Sequence, residues 1–199
     1  MRVGIFGGTF SPPHKGHMAA ALAFKTQMRL DKLLIIPTLI PPHKYFGGEA
    51  SCEERLEMCR LAFSDLSDTE ISDIEIKRGG KSYTYLTLRE LSCQEDELYL
   101  LCGTDMILTL DLWKRFREIF SLAHVCYVRR ENDDEKSLEI EKKTRQFREN
   151  YSAKISEISV DAIEISSTEL RTLIKSGADT SDFLDVRVRE FIDNRGLYR

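Results

Sequence analysis

A chain of 199 residues, 42% of them apolar and 31% charged, is long enough to bury one α/β core and falls short of two. Its net charge of −4 speaks against a general nucleic-acid binder, which carries a basic excess. No apolar run approaches the ~20 residues that cross a bilayer, and the N-terminus enters a strand with no signal-peptide pattern.

Arg2-Val3-Gly4-Ile5-Phe6 reads as a buried strand. It runs into Gly7-Gly8-Thr9-Phe10-Ser11-Pro12-Pro13-His14-Lys15-Gly16-His17. Met18, Leu22, Lys25 and Met28 then recur at helical spacing, with alanines between them. A strand, a glycine turn and a helix start offer backbone N–H groups and a positive dipole end to an anion. Paired glycines let that anion approach the backbone closely. His14 and His17 are three apart, on one face of a helical first turn. Two imidazoles above an anion cradle point to phosphate chemistry. Metal binding by the pair would need a third ligand that the neighbourhood does not supply.

Leu33-Leu34-Ile35-Ile36 is a second buried strand, which makes the beginning a parallel β-α-β unit with a right-handed crossover. Pro37-Thr38-Leu39-Ile40-Pro41-Pro42-His43-Lys44 excludes helix and interior strand. It is a stiff loop at the C-terminal end of a strand, where open α/β sheets bind ligands. A rigid surface loop with a solvated Lys44 explains the same residues.

Residues 51–63 predict a helix with a Ser51/Glu54 capping box and a packing face of Cys52, Leu56, Cys59 and Phe63. Packing suffices for Arg55 and Met58 as well. Residues 71–76 alternate and predict a strand. Gly79-Gly80-Lys81-Ser82-Tyr83-Thr84 leads into a helix over 84–91. Residues 98–102 form another buried strand, and Gly103-Thr104-Asp105 follows at its C-terminal end. A carboxylate there can meet ribose hydroxyls or cap a helix over 106–110. Trp113, the single tryptophan, is either a core residue or a stacking platform.

Residues 123–128 predict a strand and 129–136 a solvated mixed-charge loop. Residues 138–151 predict a peripheral helix with a thin apolar face of Leu138, Phe147 and Tyr151. Residues 154–165 yield one or two short strands. Ser166 and Glu169 form a second capping box, opening a helix to about residue 175 with Gly177 beyond its end. Thr168 and Arg171 share a face one turn inside it. A helix start with hydroxyls and an arginine is a second phosphate site, or only a cap. Residues 186–194, followed by Gly196, predict a final amphipathic helix over the core. Cys52, Cys59, Cys93, Cys102 and Cys126 contain no Cys-x-x-Cys pair, and an odd number closes no disulfide framework. A reducing cytoplasm is the expected setting. No repeat or linker divides the chain, so 1–199 is expected to be one domain, with a helical part from about 166 to 199 carrying the second motif. The element order predicts an α/β fold with a doubly wound, mostly parallel sheet.

The Gly-Gly-Thr-Phe-x-Pro-x-His-x-Gly-His run resembles the signature of the bacterial nucleotidyltransferases, and Ser-x-Thr-x-x-Arg their triphosphate motif. Within that group the chain is most similar to the nicotinate-nucleotide adenylyltransferases, through Pro-Pro-His-Lys, Arg78-x-Gly80-x-Ser82-Tyr83-Thr84 and Trp113. It departs from their pattern at Ser11 and Leu86, where aspartate is usual. The resemblance implies a Rossmann-like fold and adenylyl transfer from ATP to nicotinate mononucleotide, with Mg²⁺ carried by ATP and no protein metal site.

The resemblance also implies a set of site residues. Gly7, Gly8, Thr9, Phe10, Gly16, Gly103, Asp105, Ser166, Ser167, Thr168 and Arg171 would bind ATP. Lys44, Ser82, Tyr83, Thr84 and Trp113 would bind the mononucleotide. His14, His17 and Arg171 would carry catalysis by direct in-line displacement. No membrane or nucleic-acid partner is expected, and nothing speaks against a homo-oligomer. Nicotinamide mononucleotide as acceptor, another phosphate acceptor, and a non-catalytic nucleotide sensor are the rival readings.

Overall fold

The strands form where β-branched and leucine runs are buried on both faces, as a parallel sheet requires. In a computed structural model describing residues 1–41, 50–93, 95–128, 134–160 and 165–199, six strands make one sheet. They are β1 (Arg2–Gly8), β2 (Lys32–Pro37), β3 (Thr69–Ile71), β4 (Glu97–Gly103), β5 (Ala123–Val128) and β6 (Ile155–Ile158). The order is β3-β2-β1-β4-β5-β6, and every pair is parallel. Alternate strand residues feed two cores. Phe6, Leu33, Ile35 and Leu101 enter one, and Ile5, Leu34, Ile36 and Leu100 enter the other.

Helices cover both faces, which makes the sheet doubly wound. The first core takes side chains from α1 (Lys15–Gln27), α2 (Cys52–Ala62), α8 (Ser167–Lys175) and α9 (Val186–Arg195). The second takes them from α4 (Thr84–Leu91), α5 (Thr104–Leu108), α6 (Phe116–Leu122) and α7 (Asp134–Tyr151). A short α3 (Ile74–Arg78) precedes α4. The chain leaves β1 toward β2 and β3, then returns to β1's other side as β4. The crevice outside the C-terminal ends of β1 and β4 is therefore the switch point where such sheets bind ligands.

Both capping boxes form as their sequences predict, at Ser51/Glu54 and Ser166/Glu169. Gly177 and Gly196 take positive φ beyond α8 and α9. Cys59, Cys102 and Cys126 are buried, and burial pushes the Cys126 thiol up to about 12, so none is a ready nucleophile.

Three local expectations fail. The 71–76 alternation yields a strand only at Thr69–Ile71, and residues 74–78 are helical. The buried residue there is Glu75, whose carboxylate accepts from Thr87 Oγ1 at 2.6 Å. On α1 the buried face is Ala20, Ala21 and Phe24, while Leu22 is exposed. Small alanines let the helix lie close to the sheet, and Phe24 fills the gap. On α7, Leu138 is exposed, and Ile140 joins Phe147 in the core.

Candidate active site

The loop that leaves β1 is shaped by one glycine and one unusual backbone. Phe10 has φ of 49° and is buried, with its ring folded back over the strand end. A Cβ on Gly8 would stand 2.9 Å from Phe10 Cζ, so only glycine fits beneath the ring. The Phe10 ring meets Phe6 edge-on at 5.3 Å and His17 edge-on at 5.1 Å between centroids.

His14 is the N-cap of α1 rather than a residue of its first turn. His17 is three residues inside, and its Nδ1 accepts from the His14 N–H at 3.2 Å. The two rings lie against each other, tilted by 34° with centroids 3.6 Å apart. The acceptor bond at Nδ1 fixes which edge of His17 points onward. Gly16 lies in the same first turn. The imidazole pair thus sits at the positive end of a 13-residue helix, beside the loop.

The second motif docks on the first. Arg171 Nη1 donates to Ser11 O at 2.9 Å, and Ser167 Oγ donates to Pro12 O at 2.9 Å. Arg171 Nη2 donates to Thr168 Oγ1 at 3.2 Å. Ser166 serves the capping box. Its amide and hydroxyl bond Glu169 and hold that carboxyl below the ordinary range. The N-terminus of α8 therefore lies against the loop before α1, two helix starts side by side. Ser11 is buried, and its Oγ meets Tyr198 Oη at 2.9 Å. A neutral hydroxyl suits that enclosed position better than an unpaired carboxylate would.

Gly103 ends β4 beside β1, since the register pairs Phe6 with Leu101. It is also the N-cap of α5, so Asp105 does not cap the helix as the alternative reading has it. Asp105 stands in the first turn with an exposed side chain at the crevice.

The residues expected on the acceptor side form a second group. Ser82 is buried, and its Oγ accepts from Leu39 N–H at 2.9 Å, tying the loop after β2 to the segment before α4. Tyr83 is the N-cap of α4, with Thr84 its first residue. Lys114 Nζ lies 4.5 Å over the Tyr83 ring, which brings the Trp113 turn against α4. Trp113, Tyr83 and Leu86 pack on the edge of the second core, so Leu86 has an apolar place. The two groups connect through the chain of bonds from Gly8 O to Thr38 N–H and from Leu39 N–H to Ser82. Lys44 lies outside the described residues.

Three participants fall outside the expected site residues. Arg55 is a fully buried arginine whose Nη1 donates to Thr9 O at 2.9 Å. Thr38 holds Gly8 O through its amide at 2.9 Å. Tyr198 reaches the loop from beyond α9. All three act through backbone or long-range contacts, which spacing does not encode.

The cytidylyltransferase-like family matches residues 5–173. A probable nicotinate-nucleotide adenylyltransferase of Desulfatibacillum aliphaticivorans is 34% identical over 215 residues, covering 100% of both chains. Its counterpart in Desulfitobacterium hafniense strain Y51 is 36% identical over 200 residues, covering 100% of this chain and 96% of the other. Among solved structures, the Plasmodium falciparum nicotinic acid mononucleotide adenylyltransferase complexed with NaAD superposes with a TM-score of 0.78 at 18% identity, covering 99% of this chain and 97% of that one. The same protein complexed with APC gives 0.76 at 17%, covering 99% and 96%.

Proposed function

The chain belongs to the nicotinate-nucleotide adenylyltransferases of the cytidylyltransferase-like family, and from that membership we infer its reaction. It transfers the adenylyl group of ATP to nicotinate mononucleotide, giving nicotinate adenine dinucleotide and pyrophosphate, a step of NAD biosynthesis. The substrate is the Mg²⁺ complex of ATP. Magnesium held by phosphates keeps several waters and needs no protein cage.

The step is an in-line displacement. A 5′-phosphate oxygen of the mononucleotide attacks the α-phosphorus, and the bond to the bridging oxygen of the β-phosphate breaks. Two polyanions must meet, so catalysis is mostly positioning and charge stabilisation. The backbone from Gly7 to Phe10 cradles phosphate at the positive end of α1. His14 and His17 donate to phosphate oxygens, with His17 on the α-phosphate as charge builds there. Arg171, Thr168 and the start of α8 take the β and γ phosphates. Gly103 and Asp105 face the ribose. Lys44, Ser82, Tyr83, Thr84 and Trp113 receive the mononucleotide, with Trp113 beneath the pyridine ring. The helical part from about 166 to 199 brings the second phosphate site to the first within one domain. Five free thiols fit a reducing cytoplasm.

The observation that carries this reading is the bond from Arg171 to Ser11 O. It joins two anion-binding helix starts, from opposite ends of the sequence, into one place. The test is pyrophosphate release from ATP and Mg²⁺ with nicotinate mononucleotide, nicotinamide mononucleotide or phosphopantetheine supplied separately. Release with the nicotinate compound and little with the others supports the assignment. Preference for another acceptor overturns the substrate, and ATP binding with no release to any acceptor overturns the enzyme.

A further inference from the structure

Among the fully buried side chains of the described residues, Arg55 is the largest. A buried guanidinium is unfavourable unless hydrogen bonds compensate it. Its Nη2 donates to Cys52 Sγ at 3.2 Å, and its Nη1 to Thr9 O at 2.9 Å. An apolar side chain of similar size would fill the same volume without that penalty.

The Thr9 carbonyl is what makes the arginine matter. In a planar trans peptide, C=O and N–H point in opposite directions. Gly8 O is held by Thr38 N–H at 2.9 Å, and Thr9 O by Arg55 at 2.9 Å. Two successive peptide planes are thus pinned with their carbonyls toward α2 and β2. The Thr9 N–H therefore points away from Thr38, and the Phe10 N–H away from Arg55. Phe10 at φ 49° is a conformation bulky residues seldom adopt, and it has to be held by its surroundings. Consecutive N–H groups turned to one side make an anion-binding concavity.

We propose that Arg55 is a positioning residue for adenylyl transfer: from behind the loop it fixes the Thr9 carbonyl and so aims the Thr9 and Phe10 amides at the triphosphate. The inference rests on the function proposed above. A charge-assisted bond to the carbonyl polarises the peptide, and its N–H becomes a better donor to phosphate. Arg55 itself touches no substrate.

The test compares wild type with Arg55→Lys and Arg55→Ala by three readouts: titration with Mg²⁺-ATP in the absence of acceptor, separate KM values for both substrates, and melting temperature. For Arg55→Ala, ATP affinity should fall by about tenfold or more, the worth of one charge-assisted bond, and Arg55→Lys, which keeps the charge without the planar fork, should lie between it and wild type. The KM for nicotinate mononucleotide should stay within about twofold. Guanidinium at non-denaturing concentration should restore part of the ATP affinity of Arg55→Ala. A lowered melting temperature with unchanged ATP affinity, or equal weakening toward both substrates, overturns the proposal.

Wild type supplies a check that needs no variant. Adding Mg²⁺-ATP should shift the amide proton resonances of Thr9 and Phe10 and slow their exchange, and amides that do not respond overturn the proposal. These binding readouts use no acceptor. A protein that binds ATP in this way but releases no pyrophosphate would sink the reaction assignment and leave the role of Arg55 standing.

Discussion

Arg171 Nη1 lies 2.9 Å from the carbonyl oxygen of Ser11, a residue 160 positions earlier in the chain. The same guanidinium bonds Thr168 on its own helix. One side chain therefore ties the loop before α1 to α8.

Removing it should act on ATP before it acts on the acceptor. Arg171→Ala is expected to lower kcat/KM for ATP by about 100-fold or more, with KM for the mononucleotide changed by less than about threefold. Arg171→Lys restores the charge without the planar fork, so its ATP affinity should fall between the two. Steady-state kinetics with each substrate varied in turn decide the matter, and equal weakening of both would remove the assignment.

His17 offers a cleaner separation of structure from chemistry. Its Nδ1 accepts from the His14 amide, and the proposed donor to phosphate is its Nε2. Asparagine can supply an acceptor near Nδ1 and nothing near Nε2. His17→Asn should therefore melt close to wild type yet lose about 10²–10³-fold in kcat, with ATP binding nearly intact. Turnover comparable to wild type in that variant would end the proposed role.

The buried pair Ser11 and Tyr198 can be read by a double-mutant cycle. Tyr198→Phe or Ser11→Ala each leaves one enclosed hydroxyl without its partner, at about 1–3 kcal/mol. For a domain of this size that is roughly 2–4 °C of melting temperature per kcal/mol. The double variant should lose less than the sum of the singles. Strict additivity would mean that the hydroxyls do not interact.

Acid should act through α9. Arg187 joins Asp185, the cap of that helix, to Asp65 beyond α2, and its guanidinium holds both carboxyls below their ordinary range. A carboxyl depressed in the folded state gives stability present above its unfolded pKa of about 3.9, lost as pH falls through the folded value. Arg187→Ala should lower the melting temperature at pH about 7 and converge with wild type near pH about 2 to 3. Solvent keeps the difference small. A gap that is constant with pH would show that the ion pairs are not its source.

Much of this was legible because it rests on local chemistry. The two capping boxes and the buried strand runs are set by neighbours a few residues apart and form as read, whereas Gly7 and Gly8, read as a turn, stay in β1 and the chain turns only after them. The second helix start was visible for the same reason. What failed depended on partners far along the chain. Residues 71–76 alternate, yet Thr87 and Arg78 draw Glu75 inward and a helix wins. Leu22 looked like a core residue until the sheet selected the alanine face. Arg55 reads as packing from spacing alone, because its partner is a backbone oxygen 46 residues away.

The loop from Thr9 to Pro12 is made before Arg55, Ser167, Arg171 and Tyr198, the residues that restrain it. A nascent chain can pair β1, β2 and β4 well before those late residues emerge. Full restraint of the loop therefore waits for Tyr198, and a stop near residue 160 would leave a paired sheet whose loop lacks the bonds from Ser167, Arg171 and Tyr198.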